Sequence, residues 1–543
     1  MPTLTLGPVL RYVDSTSATV WVETDAACTV AVLGATARTF TVCGHHYALV
    51  VIEGLEPGSC LEYQVHLDGE AAWPPSDSTM PPSVIRTLTA HQPAKVLLGS
   101  CRAAAPHEPP YTLERVFDPE GRGVDILWAH ALQIRDLPAA EWPDLLLLVG
   151  DQVYADDSSP LARERIETLR GDDSDLPPEI VANYEEYTWL YREAWVQPVE
   201  RWLLSSVPSA MVFDDHDMID DWNISDSWVA DMRGEPWWPD HSLGGYMSYW
   251  VYQHLGNLSP AQIRAEGLLE RVVAAGDGTE VLSAWAEGLD SRSQTYQFSF
   301  ARQVGDVTVV VIDGRNNRVL DGPTRLMVGV DEWAWVRDQV LGARGHVVIA
   351  TTLPVFISDG LHDFQVWSER VCAGAWGRRA AKWGERMRRA LDLEDWSAFE
   401  ASYRDVVALV TEAATAESPP HSVVIASGDI HFTYAAKVPL HRAGAPVWQV
   451  VSSPMRNALI PPERGVMRFT LTRAGRAAGG LLRRMVRAGN TRPGIEVVAG
   501  PLFANNLCEL RYDGARAELC IEHCVPDGDG EPDLTALPLV PLT

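Results

Sequence analysis

The strongest constraint on this chain is a repeated juxtaposition: a short, wholly apolar run that stops in a loop rich in carboxylate, thiol or imidazole groups. It occurs as Leu98-Gly-Ser-Cys-Arg102, as Val149-Gly-Asp-Gln-Val-Tyr-Ala-Asp-Asp157 and as Val212-Phe-Asp-Asp-His-Asp217. It occurs again as Ser427-Gly-Asp-Ile-His431, after Val423-Val-Ile-Ala426. Apolar runs of this length without alternation read as strands buried on both faces. On this basis strands are predicted at Val96–Gly99, Leu145–Gly150, Ser209–Phe213, Val307–Ile312, Val347–Ala350, Val423–Ala426 and Trp448–Val451. Longer helical patterns separate them. The fold class is α/β, a layered β-sheet core flanked by helices.

The first ninety residues have a different texture. Ala18-Thr-Val-Trp-Val22, Thr29-Val-Ala-Val-Leu33 and Tyr47-Ala-Leu-Val-Val-Ile52 are short strand-like runs, and Gly54-Leu-Glu-Pro-Gly58 is a turn before the strand Leu61–Leu67. The turn and Tyr63 resemble fibronectin type III and immunoglobulin-like domains. A small all-β sandwich over 1–90, followed by a catalytic domain over 91–543, is the expected division. The Pro- and Ser-rich stretch Trp73–Val84 falls near its end.

A formal net charge of -29 repels nucleic-acid backbones and anionic membranes, so no nucleic-acid partner is expected. The longest apolar runs are strand-length, far short of the ~20 residues of a spanning helix, so no membrane insertion is expected. The eight cysteines form no C-x-x-C pair, and Cys520 and Cys524 read as buried structural thiols. With no basic-apolar leader or twin-arginine pair at the start, a cytoplasmic location is expected. Nothing in the sequence sets the oligomeric state.

Ligands converging from several strand ends are what a di-metal hydrolase needs, because two cations ~3.5–4 Å apart share a carboxylate and still leave room for substrate. Asp151 is placed to bridge. Tyr154, three residues on, reaches the same ion as a phenolate, which suits a hard trivalent cation, or else is simply a packed tyrosine beside a capping Asp. In Asp214-Asp215-His216 one carboxylate can bind metal, with His216 donating a proton to the leaving group or holding a phosphoryl oxygen; a capping Asp and a surface His is the plainer alternative. Asp429 and His431, two apart in an extended segment, would face one ion. Arg315, together with Arg102, can grip paired phosphate oxygens, although Arg315 can instead pair with Asp313.

Together the segments resemble the alkaline phosphatase D (PhoD-like) family of metallophosphoesterases, over residues 96 to about 515. The signatures are Gly99-Ser-Cys101, Gly150-Asp-x-x-Tyr154, Asp214-Asp-His216, Asp313-x-Arg315 and Gly428-Asp-x-His431. The resemblance implies a metallophosphoesterase-type core and phosphate-ester substrates, monoester or diester, hydrolysed by a metal-bound hydroxide. It implies Fe3+ and Ca2+ as cofactors, with Cys101 as an iron thiolate ligand, Asp151 bridging, and Tyr154, Asp214 or Asp215, Asp429 and His431 completing the set. The calcium sites extend past the Asp-Asp-His motif. Here Asp220 and Asp221 stand where asparagines are common, which makes Asp221 a candidate ligand and leaves Mn2+ or a second iron open. Ser100 is the obvious protein nucleophile to compete with water, but no histidine lies near it in sequence to act as its base.

One segment departs from the acidic whole: Arg464, Arg468, Arg473, Arg476, Arg483, Arg484, Arg487 and Arg492 fall within thirty residues. It reads either as a partly amphipathic helix overhanging the site and attracting phosphate, or as a solvated helix paired to the acidic body. Two rival functions stand beside the phosphatase. One is a metallohydrolase acting on another electrophile, the other a non-catalytic binding protein on a degenerate phosphatase scaffold.

Overall fold

The computed structural model describes residues 1–171, 176, 178–291, 295–322, 324–440, 444–459, 461–526 and 532–543. All seven predicted buried strands are present, as Ala94–Gly99, Leu145–Leu148, Ser209–Met211, Val307–Val311, His346–Ala350, Ser422–Ser427 and Val447–Val451. They belong to two sheets of seven strands each. The first runs Ser209–Met211, Leu145–Leu148, Ala94–Gly99, Asn506–Asp513, Arg516–Pro526 and Pro532–Ala536, with Val540–Pro541 also paired to Arg516–Pro526. The second runs Phe300–Val304, Val307–Val311, His346–Ala350, Ser422–Ser427, Val447–Val451, Thr433–Lys437 and Glu496–Leu502. Parallel pairing is confined to the first three strands of one and the second to fifth of the other.

The unbroken apolar runs have a simple cause. Leu145 and Leu147 enter the core between the two sheets, while Leu146 and Leu148 enter the core beneath the helices. Val307, Val309 and Val311 likewise face the inter-sheet core, and Val310 and Ile312 face the opposite helical layer. Each fully buried side chain of this size stabilises the fold by roughly 1.5–3 kcal/mol. Both faces of every central strand therefore demand apolar residues.

The N-terminal residues form the expected all-β region. Leu4–Val13, Ser17–Thr24, His45–Glu53 and Phe40–Val42 make one sheet, and Ala35–Arg38, Thr29–Val32, Val65–Leu67 and Glu70–Trp73 make the other. Val84–Arg86 pairs with Cys60–Glu62, and the next strand starts at Ala94. This unit is not a loose appendage. Leu6, Val9, Trp21 and Tyr47 enter the core of the helical layer, and the Tyr63 hydroxyl donates to Ser205 O at 2.6 Å.

On the opposite side, the helix Asp359–Cys372 begins at Ser358, whose Oγ accepts from Leu361 N. It packs closely on the helix Arg473–Met485 because both lack side chains at the crossing. A Cβ on Gly479 would lie 2.6 Å from Gly360 O, and one on Gly360 would lie 2.7 Å from Thr470 O. The first half of the basic segment, helix Pro461–Thr470, is thereby held beside the ends of the central strands.

Candidate active site

The loops that leave the central strands interlock before they expose any functional group. A Cβ on Gly150 would come within 2.8 Å of Ser100 Cβ, and one on Gly428 would collide with Ser100 Oγ and lie 2.7 Å from Val149 O. Ser100 is fully buried and donates its hydroxyl to Ser452 O at 2.9 Å, while Ser452 Oγ donates to Leu98 O. Ser100 thus ties the two sheets together.

Beyond these ties the backbone turns sharply: Cys101, Asp429 and His431 have φ of 56°, 64° and 54°. Left-handed backbone at non-glycine residues costs of order 1 kcal/mol each and persists where the surroundings impose it. The expectation that Asp429 and His431 share a side through an extended segment is corrected here. The strand stops at Ser427, Ile430 N bonds Gly428 O, and both residues reach the site from a turn.

The result is a cleft of about 400 Å³ at the strand ends, lined by Asp151, Tyr154, Asp215, His216, Asp429 and His431. A larger concavity of about 730 Å³ lies between the β-sandwich and the first sheet, away from these groups. Asp151, Asp214 and Asp215 present carboxylate oxygens within 4.8 Å of one another, and Asp214 and Cys101 are fully enclosed below the cleft. Cys101 Sγ lies 3.3 Å from Ser453 Oγ and 3.5 Å from Asp429 O. Tyr154 OH accepts from Asn457 Nδ2 at 3.2 Å, and its ring lies 4.7 Å from the ring of His216. His216 Nδ1 is 2.7 Å from Asp156 Oδ1, and the His216 amide donates to Asp151 Oδ1.

Charge on this set is costly unless a cation joins it. Burial, then repulsion from Asp214, pushes Asp151 well above the carboxylate range. Burial also dominates at Asp214 and Asp429, which rise despite Arg315. Asp215 goes the other way: its burial is outweighed by Arg315 and His216, and its pKa falls. Burial, then Asp151, raises both the Cys101 thiol and the Tyr154 phenol. Burial alone would lower His216, but Asp156, then Asp151 and Asp215, together outweigh it and raise it well above the usual imidazole value. Burial, then the His216 charge, pushes His431 down to about 4, leaving it a neutral imidazole with a lone pair to offer.

Asp214 Oδ2 is buried without a hydrogen-bond partner among the described residues, and Asp215 Oδ1 lies 3.1 Å from Arg315 Nη2 without hydrogen-bond alignment. A buried carboxylate oxygen without a partner, within 4.8 Å of two further carboxylates, is what a hard cation would satisfy. The residues present therefore fit the implied metals.

Two sequence expectations are corrected. Arg102 points away from the cleft into the helical layer, where its Nε donates to Asp125 at 2.8 Å, its Nη2 to Glu200 at 2.9 Å and its Nη1 to Ala194 O at 2.6 Å, so all three guanidinium nitrogens are engaged away from substrate. Arg315 is completely buried and binds Asp214 at 2.7 Å, Asp429 at 2.9 Å, Asp215 and Glu394. It holds the carboxylates in place instead of meeting substrate. Asp313 does not pair with its guanidinium but accepts from the Arg315 and Asn316 amides.

Asp221 sits apart from the triad, beside Asp392 and Glu394; burial and those two charges push it up to about 10. In the basic segment Arg476 pairs with Asp359, and Arg483 and Arg492 pair with Asp363, whereas Arg464 and Arg468 lie beside the cleft. Cys520 and Cys524 are both buried.

Some functional neighbours escaped the sequence. Asp156 lay within a quoted motif but carried no spacing signal. Asn457 follows the predicted strand Trp448–Val451, so the polar loop after that strand was the missed clue. Glu394 follows a helix and a loop with no strand before it.

Two face-packed sheets with a buried carboxylate cluster at their strand ends define a layered α/β protein whose cleft could hold metal ions. Residues 132–478 match the PhoD-like phosphatase family, to which the chain belongs, and it is accordingly a hydrolase acting on phosphate esters. Residues 1–85 match a domain of unknown function, DUF7800. A search of curated proteins finds no match. A solved structure described as "Structure of PhoD" superposes with a TM-score of 0.60 at 12% identity, covering 99% of this chain and 92% of its own. That likeness concerns the fold. A maltogenic amylase from S. marinus covers 95% of this chain and 76% of its own at 9% identity, with a TM-score of 0.19, and contributes nothing to the reading.

Proposed function

We propose that phosphate esters are hydrolysed in the Asp151–Asp214–Asp215 cleft by direct attack of water, with hard cations held by Cys101, Asp151, Tyr154, Asp214, Asp215, Asp429 and His431. The observation that carries this is the convergence of three buried carboxylates within 4.8 Å, one of them with an unpartnered oxygen. When bound, the cations lower the pKa of a coordinated water and offset phosphoryl charge.

The donor set separates by hardness and position. Cys101 and Tyr154 offer a thiolate and a phenolate, a pair that suits ferric iron. Asp221, with Asp220 and Asp392 near it, extends an oxygen-rich surface toward calcium or manganese. Arg315 positions Asp214, Asp215 and Asp429 from behind. His216, held through Nδ1 by Asp156 and with Nε2 3.8 Å from Asp220 Oδ1, turns Nε2 to the leaving oxygen and donates the proton that departure requires. Ser100 takes no part in bond making, because its hydroxyl is spent on Ser452 O.

The eight cysteines, scattered along the chain with no C-x-x-C pair, support a reducing, cytoplasmic setting. Residues 1–90 are taken as the β-sandwich unit and 91–543 as the catalytic unit. The mechanism is tested with a phosphorothioate ester chiral at phosphorus. Inversion is expected for a single in-line displacement; net retention, or phosphate trapped on Ser100 after an acid quench, contradicts it.

A further inference from the structure

A concavity of about 260 Å³ adjoins the metal cleft and shares Arg115, Asn457, Ala458 and Leu459 with it. Four arginines line it, Arg115, Arg122, Arg464 and Arg468, against a single carboxylate, Glu114. In a chain with a formal net charge of -29, this inverts the prevailing sign.

The four charges are also left available. Arg122 Nη1 reaches only the carbonyls of Pro119 and Gly121, at 3.2 and 3.3 Å, and Arg464 Nε reaches only Leu459 O. Arg468 lies over the ring of Phe503, 5.0 Å from its centroid. None of the four makes an ion pair with a carboxylate among the described residues. The contrast within the same basic segment is direct, since Arg476, Arg483 and Arg492 are neutralised by Asp359 and Asp363. Burial, then the like charge of Arg115, lowers Arg122 below the ordinary guanidinium value, so these two guanidinium groups repel each other. Phe503 stacks on Phe432 at 5.6 Å, and Phe432 lines the metal cleft, so one aromatic wall runs from the cleft to the pocket.

Four guanidinium groups gathered without a carboxylate partner among the described residues, beside a phosphate-ester cleft, call for an anion, and their planar forks match phosphate oxygens. We propose that this pocket is a second anion subsite that receives a further phosphate carried by the leaving portion of the substrate. The preferred substrates are then phosphate esters bearing two phosphates. The inference rests on the phosphate-ester reading above and adds the substrate class. The acidic body repels such polyanions, and the arginine pocket supplies the local attraction that overcomes this.

The test compares glucose 1,6-bisphosphate with glucose 6-phosphate on metal-loaded enzyme by phosphate release, with p-nitrophenyl phosphate as a reference. Removing one charge-assisted hydrogen bond to the second phosphate weakens binding roughly ten-fold or more. The wild type should favour the bisphosphate by roughly 10–100-fold in kcat/KM, and Arg464→Gln/Arg468→Gln should bring the ratio near one. Arg468→Gln alone should give an intermediate ratio, which guards against a folding defect in the double variant.

A wild-type ratio near one, or a ratio unmoved in both variants, overturns the subsite while p-nitrophenyl phosphate hydrolysis still upholds the phosphatase reading. Inhibition by inorganic phosphate that is not competitive with p-nitrophenyl phosphate and is lost in the double variant would assign the pocket to free phosphate and also overturn it. No hydrolysis of any of the three compounds would remove the reading on which the proposal rests.

Discussion

Replacing His216 by Ala removes an imidazole held 2.7 Å from Asp156 and tilted against the Tyr154 ring, yet leaves every carboxylate of the triad in place. If His216 protonates the leaving oxygen, turnover should fall by roughly 10²–10⁴, the range for loss of a general acid. At 1.36 kcal/mol per decade this is about 2.7–5.5 kcal/mol of transition-state stabilisation. The loss should depend on the leaving group. An alkyl phosphate needs the proton and should show the full effect; p-nitrophenyl phosphate departs as a stable anion and should show much less. His216 is raised by Asp156, so its acid form extends to higher pH than that of an ordinary imidazole and the rate falls as pH rises through the folded pKa. Asp156→Asn should move that fall to lower pH. Steady-state kinetics on both esters, with metal content measured on the same samples, check this. Equal losses on the two esters, or metal lost in proportion to rate, would refute the acid role.

Tyr154→Phe should abolish or shift a visible charge-transfer band of the iron-loaded protein, as read by absorption; a spectrum identical to wild type contradicts phenolate ligation. Arg315→Met removes the buried cation shared by Asp214, Asp215, Asp429 and Glu394, and should destabilise the metal-free protein by roughly 3–5 kcal/mol. With metal bound the loss in urea denaturation should be smaller, and equal losses with and without chelator would count against a cation site at these carboxylates. His254 is buried with both ring nitrogens unpartnered among the described residues, and burial, then Arg11, lowers it to about 3. The unfolded chain therefore takes up a proton below pH ~6.5 that the folded chain refuses until about pH 3, and this histidine costs up to ~1.4 kcal/mol per pH unit across that window. His254→Leu should flatten the decline in stability between pH 6.5 and 4; parallel curves would exclude the effect.

The buried strands were legible because burial on both faces leaves an unbroken apolar run. The division into two sheets was not, because Leu145 facing another sheet and Leu146 facing helices make the same demand on sequence. Asp151 and Asp215 could be found because each closely follows a strand. Arg315 misled in a definite way: a guanidinium near carboxylates can serve substrate or bind the carboxylates themselves, and only its complete burial decides. Arg102 follows a candidate ligand directly, but the left-handed turn at Cys101 sends its side chain to the opposite side of the loop. Glu394 reaches the cluster from a post-helical loop, where no periodicity marks it. The basic segment held both of its readings, because Arg464 and Arg476 lie on different helices with different neighbours.

The central claim is that the Asp151 cluster holds the metals on which hydrolysis depends. Elemental analysis of purified wild type and Asp151→Ala, paired with p-nitrophenyl phosphate turnover before and after chelation, tests it most directly. The account predicts bound iron with calcium or manganese in the wild type, and joint loss of metal and turnover both in Asp151→Ala and on chelation. Full turnover by chelated wild type, or an Asp151→Ala protein that keeps its metal and its rate, would contradict it.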